Sequence, residues 1–420
     1  MRFVDLRSGG PTDPIRPSTD DEPLEAVREI IEQVRNEGDA ALFELTERFD
    51  GVKLKELRVP EGATKAAADA ADPDLIKALE VAYERIYDFA ERQSLGPWEA
   101  EIGGGLVGER VHPVPRAGMY VPGGRAAYPS SVLMAGAPAA VAGVKEVALC
   151  VPPGRNRKIA GPTLAAAHVA GIEEIYMVGG AQAIAAMAYG TESIRKTDVI
   201  VGPGNIYVAL AKKEVAGTVG IDSVAGPSEI LIVTDGFVDP RILAFDLVAQ
   251  AEHGPGGAFV LVSWNNQALT QVRQAVDALL REVGASAQLR SSLEDGCSAV
   301  WVSDLEQAVD FANDFAPEHL ELIFDGAGKH IDRFRSAGSI FVGPYTPVSI
   351  GDYLGGTNHV LPTGGAGRWA SGLRTSHFQR ATAVTKHTKE SLAQAAAHIE
   401  TLAKTEGLPL HAGAVQARLR

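Results

Sequence analysis

From about residue 145 the chain repeats one unit: a short apolar run, a glycine-marked turn, then residues at helical spacing. The first runs are Val147–Val151, Glu174–Val178 before Gly179-Gly180, and Asp198–Val201 before Gly202-Pro-Gly204. The pattern resumes with Ile230–Val233, Phe259–Val262, Ala299–Val302 and Ser339–Val342. Runs that do not alternate with polar residues bury both faces, and their separation by helices predicts parallel sheets covered on both sides. The fold class is therefore α/β. A chain of 420 residues exceeds what one core accommodates, so two α/β units are expected, each around its own sheet.

The flanks read differently. Residues 1–17 are rich in Gly, Pro and charge and read as an N-terminal arm. Leu24, Val27, Ile30, Ile31 and Val34 then recur at helical spacing, with Gly38 as the C-cap, and a second amphipathic helix starts at Pro73. After residue 372 the glycines thin out into a mostly helical tail, which must bury its apolar face on its own chain or on a partner. A net charge of −14 without a Lys/Arg cluster argues against a nucleic-acid partner. The longest apolar run, Ser131–Val144, is broken by Pro138 and too short to span a bilayer, and Met1–Gly10 lacks the apolar core of a secretory signal. Cys150 and Cys297 supply neither a zinc knuckle nor a disulfide framework, so a reducing, cytoplasmic setting is the simplest expectation. Cys150, in an apolar strand, reads as an inert buried thiol.

Four pieces carry groups fit for chemistry. Ser349–Thr363 places Asp352 and His359 in a glycine-rich loop bounded by Pro362. Gln250 and His253, spaced i, i+3 at a helix end before Gly254-Pro255, can reach one ion, although a helix-terminal His complementing the dipole is the alternative. With Asp352 and His411 they make an N/O donor set suited to Zn²⁺, Mn²⁺ or Co²⁺ with positions left open; singly, Asp352 reads as a turn residue and His411 as a surface imidazole. Glu318 and His319 follow Pro317 as an adjacent acid and base able to serve consecutive proton transfers, or as a solvated strand end leading into Leu320-Glu-Leu322. Gly103–Gly108 matches the dinucleotide fingerprint by letter, but no helix can begin at Glu109–Pro115, so the match is false. Gly179-Gly180 and Gly202-Pro-Gly204-Asn205 do sit between strand and helix, where N–H groups can hold phosphate, or where tight turns need no ligand at all.

These pieces, with Gly118–Gly124, Gly179–Ala183, Gly202–Asn205 and Ala225–Glu229, resemble histidinol dehydrogenase in the family's order over nearly the whole chain. The resemblance implies two incomplete Rossmann-like units with parallel sheets: a first unit of residues 18–121 and 229–372, and a second, 122–228, inserted in it. It also implies the arm, 1–17, and a small helical C-terminal domain, 373–420, exchanged between subunits of a homodimer. The metal ligands would be Gln250, His253, Asp352 and His411, one Zn²⁺ per subunit. Glu318 and His319 would be catalytic, and Tyr120, Gln182 and Asn205 would contact NAD. Ser228, His319 and Glu406, with the ligands, would line the L-histidinol site. The activity implied is the four-electron oxidation of L-histidinol to L-histidine through bound histidinal. A zinc/NAD dehydrogenase of another polar alcohol, such as a sulfonated diol, is the alternative; a non-redox metal hydrolase using Glu318 as base is a third. One stretch departs from the family's pattern, Gly372–Arg380, and its effect is expected on packing more than on chemistry.

Overall fold

The structure, a computed structural model, describes residues 1–7, 16, 23–123, 127–224 and 226–420. Most of the expected arm, with Gly124 and Ala225 of the quoted motifs, lies outside these residues, but Arg2–Asp5 forms an edge strand, β1. Helices α1 (Leu24–Glu37), α2 (Asp39–Asp50), α3 (Ala63–Ala70) and α4 (Pro73–Glu91) follow. α1 ends at Gly38, whose φ of 60° suits glycine, and Asp72 caps α4 by accepting the Asp74 N–H. Next comes a hairpin, β2 (Trp98–Ile102) and β3 (Gly105–Pro113), turned by Gly103 and Gly104 at positive φ. The letters of the false fingerprint are this turn.

The first parallel sheet is built from β4 (Arg116–Tyr120), α5 (Pro129–Ala142), β5 (Glu146–Cys150), α6 (Gly161–Val169), β6 (Glu174–Tyr176), α7 (Gly180–Tyr189), β7 (Val199–Val201), α8 (Ile206–Val215) and β8 (Gly220–Ile221). Its order is β6-β5-β4-β7-β8. Helices α1, α2, α7 and α8 bury one face, where Val27, Ile30 and Leu42 share a core with Tyr120, Ala148 and Ile200. Helices α4, α5 and α6 bury the other, with Leu79 and Ile86 against Met119 and Leu149. β4 is the central strand, hydrogen-bonded to β5 and β7, so this sheet draws on residues before 122. Helices α1, α2 and α4 pack here because their apolar stripes meet this sheet.

The second sheet takes β9 (Glu229–Thr234), α9 (Pro240–Ala251), β10 (Ala258–Ser263), α10 (Asn266–Glu282), α11 (Ala287–Gly296), β11 (Cys297–Trp301), α12 (Leu305–Phe315), β12 (His319–Ile323) and β13 (Ser339–Val342). It is wholly parallel, in the order β1-β11-β10-β9-β12-β13. Both faces of β9 and β10 are buried, as unbroken apolar runs require. α9, α10 and α11 cover one face, and α12 covers the other.

A short helix, α13 (Val348–Tyr353), carries Asp352, which the sequence placed in a loop. The departing stretch 372–380 packs: Phe378 is fully buried against the first sheet's core, and Thr375 Oγ1 donates to the Ala90 carbonyl at 2.6 Å. β14 (Gln379–Lys386) then returns to pair antiparallel with β3, before α14 (Lys389–Thr405) and α15 (Pro409–Leu419) pack on each other. The C-terminal region is therefore not helical alone. β14 is almost entirely exposed in this chain, so it lacks the apolar run that would have marked a strand. No helix among the described residues is long and apolar enough to cross a membrane; the run around Pro138 is the buried α5.

Candidate functional site

The site forms where the amino ends of β9 and β12 meet the turn after α9 and the end of α13. β9 and β12 are neighbours with Ile230 opposite His319, so the residues entering the two strands, Ser228-Glu229 and Glu318, lie side by side. The Glu229 peptide unit grips both candidates. Its N–H donates to Glu318 Oε2 at 2.9 Å, and its carbonyl receives the Nδ1–H of His319 at 2.9 Å. A carbonyl can only accept, which fixes the His319 proton on Nδ1 and leaves Nε2 with its lone pair. That nitrogen is buried and has no partner. Burial, reinforced by the charges of His253 and His359, pulls the His319 pKa down to about 4, so the ring is neutral at neutral pH. Glu318 moves oppositely: burial, with the Glu229 and Asp352 charges, holds its carboxyl well above the usual range despite the bond from Glu229 N–H. His319 Nδ1 lies 3.5 Å from Glu318 Oε2.

Gln250 occupies the last turn of α9, buried, with its amide Oε1 unpartnered. His253 follows in the next turn at the mouth of the site, more exposed than Gln250, yet crowded enough that desolvation holds its pKa below the ordinary value. Asp352 is half-buried, and burial raises its carboxyl to about 6. An orphaned amide oxygen, a neutral imidazole and a carboxylate lacking a cation are donors that fit a divalent ion. Among the described residues, however, no three His, Cys, Asp or Glu side chains are gathered as a finished metal cage. His411 and Glu406 explain part of that. Both lie exposed at the α14–α15 hairpin, and neither has a hydrogen bond or ion pair with the buried cluster. Within one chain the structure brings together Ser228, Gln250, His253, Glu318, His319 and Asp352, and leaves Glu406 and His411 apart.

His359, grouped with Asp352 at the sequence level as a carrier of chemistry, is already satisfied. Its Nδ1–H donates to the Asp352 carbonyl at 3.1 Å, so its Nε2 accepts from Ser131 Oγ at 3.1 Å. It braces α13 against α5 and has no free lone pair. Glu321, two residues on from His319, is fully buried on the same face of β12. Burial and the charge of its neighbour Asp246 raise it well above the usual range; Asp246, one turn before Gln250, is raised by burial to about 6. Glu321 also accepts the Val348 N–H at the start of α13. This carboxyl pair thus links the elements that carry His319, Gln250 and Asp352, and an alternating Leu-Glu-Leu gave no signal for it.

The cofactor candidates sit elsewhere, at the carboxyl end of the first sheet. Tyr120 ends β4 and Asn205 follows β7, flanking the point where strand order reverses, which is the usual ligand crevice of such sheets. The N–H groups that the sequence nominated for phosphate are partly used internally. Gly180 N–H donates to Tyr120 Oη at 3.2 Å, and the N–H groups of Tyr207 and Val208 donate to Asn205 Oδ1. Gln182 is buried just inside α7. A cleft of about 470 Å³ opens at the same sheet end, lined by Gly123, Val151, Pro152, Arg155, Lys158 and Thr163 among others. Cys150 and Cys297 are buried, their thiols pushed up to about 12 by desolvation, and take no part.

Comparisons with known proteins agree over the full length. A family profile described as histidinol dehydrogenase matches residues 15–419. A histidinol dehydrogenase of a Synechococcus strain is 47% identical over 94% of this chain and 91% of its own, and one of Natronomonas pharaonis is 46% identical over 94% and 93%. The crystal structure of histidinol dehydrogenase from Elizabethkingia anophelis superposes with a TM-score of 0.94 at 35% identity, covering 100% of this chain and 98% of that one.

Proposed function

The chain belongs to the histidinol dehydrogenase family, oxidoreductases of histidine biosynthesis, and from that premise we propose that it converts L-histidinol to L-histidine, the last step of that route, by two successive oxidations that use two NAD⁺. The observation that carries the reading is the buried, unpartnered Nε2 of His319 beside a high-pKa Glu318, both held by one peptide unit.

His319 Nε2 takes the substrate hydroxyl proton in the first oxidation. Its Nδ1–H stays anchored on the Glu229 carbonyl, so the proton enters on one nitrogen only, and the imidazolium is steadied by Glu318. The aldehyde, histidinal, stays in the site. Glu318, made a stronger base by burial, takes a proton from water as it adds to the aldehyde. Once the proton it took in the first oxidation has passed from Nε2 to solvent, His319 removes the hydrate's proton in the second. Gln250, His253 and Asp352 would hold Zn²⁺, with His411 reaching the site from a second chain; bound there, the ion supplies a Lewis-acid anchor for the substrate's nitrogens. Tyr120, Gln182 and Asn205 would hold NAD⁺, the hydride acceptor, and Ser228 and Glu406 would complete the substrate site. The setting is cytoplasmic, and the working unit is a homodimer.

Purified protein given L-histidinol and NAD⁺ should develop absorbance at the NADH band, and prior chelation should abolish it. A sulfonated diol oxidised in preference to histidinol, or nicotinamide-independent hydrolysis, would replace this reading.

A further inference from the structure

The peptide unit that grips both candidate catalytic groups belongs to Glu229, and the Glu229 side chain is itself buried. Its partner lies 213 positions earlier in the chain. Arg16, the one residue described between positions 8 and 22, meets it in a two-pronged pair: Nε to Oε1 at 2.6 Å and Nη2 to Oε2 at 3.1 Å. The same guanidinium lies over the Phe315 ring, 3.9 Å from its centroid, and donates to the Phe315 carbonyl at 2.5 Å and to the Ala316 carbonyl at 3.4 Å. Those carbonyls form the turn that delivers Glu318 and His319. Ala316 holds a left-handed conformation there, φ 47°, which alanine adopts only under constraint. Arg16 therefore touches both walls of the dyad, the head of β9 and the turn into β12.

We propose that Arg16 is a positioning residue, a clamp from the N-terminal segment that acts through Glu229 and the Phe315–Ala316 turn to hold Glu318 and His319 in register. The inference rests on the roles proposed above for those two residues. Both oxidations need the dyad, so loosening the clamp should slow both alike. The Arg16 contacts run to Glu229, Phe315 and Ala316 and not to Gln250, His253 or Asp352, so metal binding, and the substrate contacts made through the metal ligands, should change little.

The test uses full-length R16M, R16K, E229Q and R16M/E229Q enzymes. Measured for each are kcat and KM with histidinol and with histidinal, bound metal, and the ¹⁵N resonances of the His319 ring, assigned by their loss in H319N. R16M should lower kcat for both substrates by roughly 10- to 100-fold, the scale of a small misplacement of reacting groups, with KM and metal content held within about twofold. R16K, a point charge without the fork, should recover part of the loss. The double variant should be no slower than R16M, since both changes break one contact. His319 should show a single Nδ1–H tautomer in the wild type and a mixture in R16M. Wild-type kcat in R16M, losses that multiply in the double variant, or equal loss of KM and metal with an unchanged His319 spectrum would each overturn the clamp. Should R16M not fold, R16K carries the same comparison. A wild-type enzyme inert toward histidinol would sink the functional reading instead, and the His319 spectra would still decide the clamp.

Discussion

At the scale of single residues, side chains with unmet needs mark the site. Gln250 Oε1 and His319 Nε2 are buried without partners, and Asp352 keeps a raised carboxyl. Replacing His253 with Asn should cut bound zinc, measured by mass spectrometry of metals after dialysis, whereas His168→Asn on α6 should not; equal metal content in both would remove His253 from the ligand set. Asp50, at the end of α2, is another unmet group, raised by burial to about 6 with Oδ2 unpartnered. Its folded form holds a proton more tightly than the unfolded chain, so its contribution is fully present below the ordinary value of 3.8 and is lost as pH rises through about 6. Asp50→Asn should therefore gain thermal stability over the wild type as pH rises from 4 to 6, and the gain should level off above that. A difference in Tm that is flat across this window would show that Asp50 is not desolvated.

At the scale of elements, Lys212 on α8 shows how a loop is fixed. Its Nζ is buried, pairs with Asp222 and donates to the Gly202 carbonyl at 3.1 Å, while Asp222 accepts the Gly202 N–H at 2.9 Å. Lys212→Met strands a buried carboxylate and should cost roughly 3–5 kcal/mol in denaturant unfolding; a loss below about 1 kcal/mol would mean that Asp222 finds water instead. Little of this was legible in the sequence, because Lys212, Asp222 and Gly202 meet only once β7 and α8 are folded together. What was legible followed from periodicity. Continuous apolar runs marked most strands of both parallel sheets, and Ser339–Val342 matches its run residue for residue. β14 escaped because exposure along it removes its apolar signal, and β12 surfaced only as a strand-end alternative because Glu321 interrupts its apolar run. The site was legible as residue types but not as a place. Its groups gather at the amino ends of β9 and β12, while strand-end rules point to carboxyl ends, and the Glu229 and Glu321 contacts need strand neighbours that no local pattern specifies.

At the scale of the whole molecule, Tyr120 and Asn205 sit at the carboxyl end of the first sheet, and Glu318 and His319 at the amino end of the second. The segment 354–378 ties them together through Asn358 Nδ2 to the Met134 carbonyl at 2.7 Å and Gly226 N–H to Thr363 Oγ1. His411 and Glu406 remain outside the buried cluster, and the C-terminal hairpin leaves Leu402 and Leu410 exposed, 63% and 84%. A shared site in a homodimer gives both observations one cause. Inactive His253→Asn and His411→Asn proteins, mixed after dissociation, should then form heterodimers with one intact site and roughly half the wild-type activity by site counting; confirmed heterodimers without activity would place His411 in its own chain. The chemistry is tested most directly by counting NADH against limiting L-histidinol with the aldehyde assayed alongside. Two NADH per histidinol with no free histidinal is the result expected of a dyad that serves both oxidations in one site, and one NADH with histidinal accumulating would contradict it.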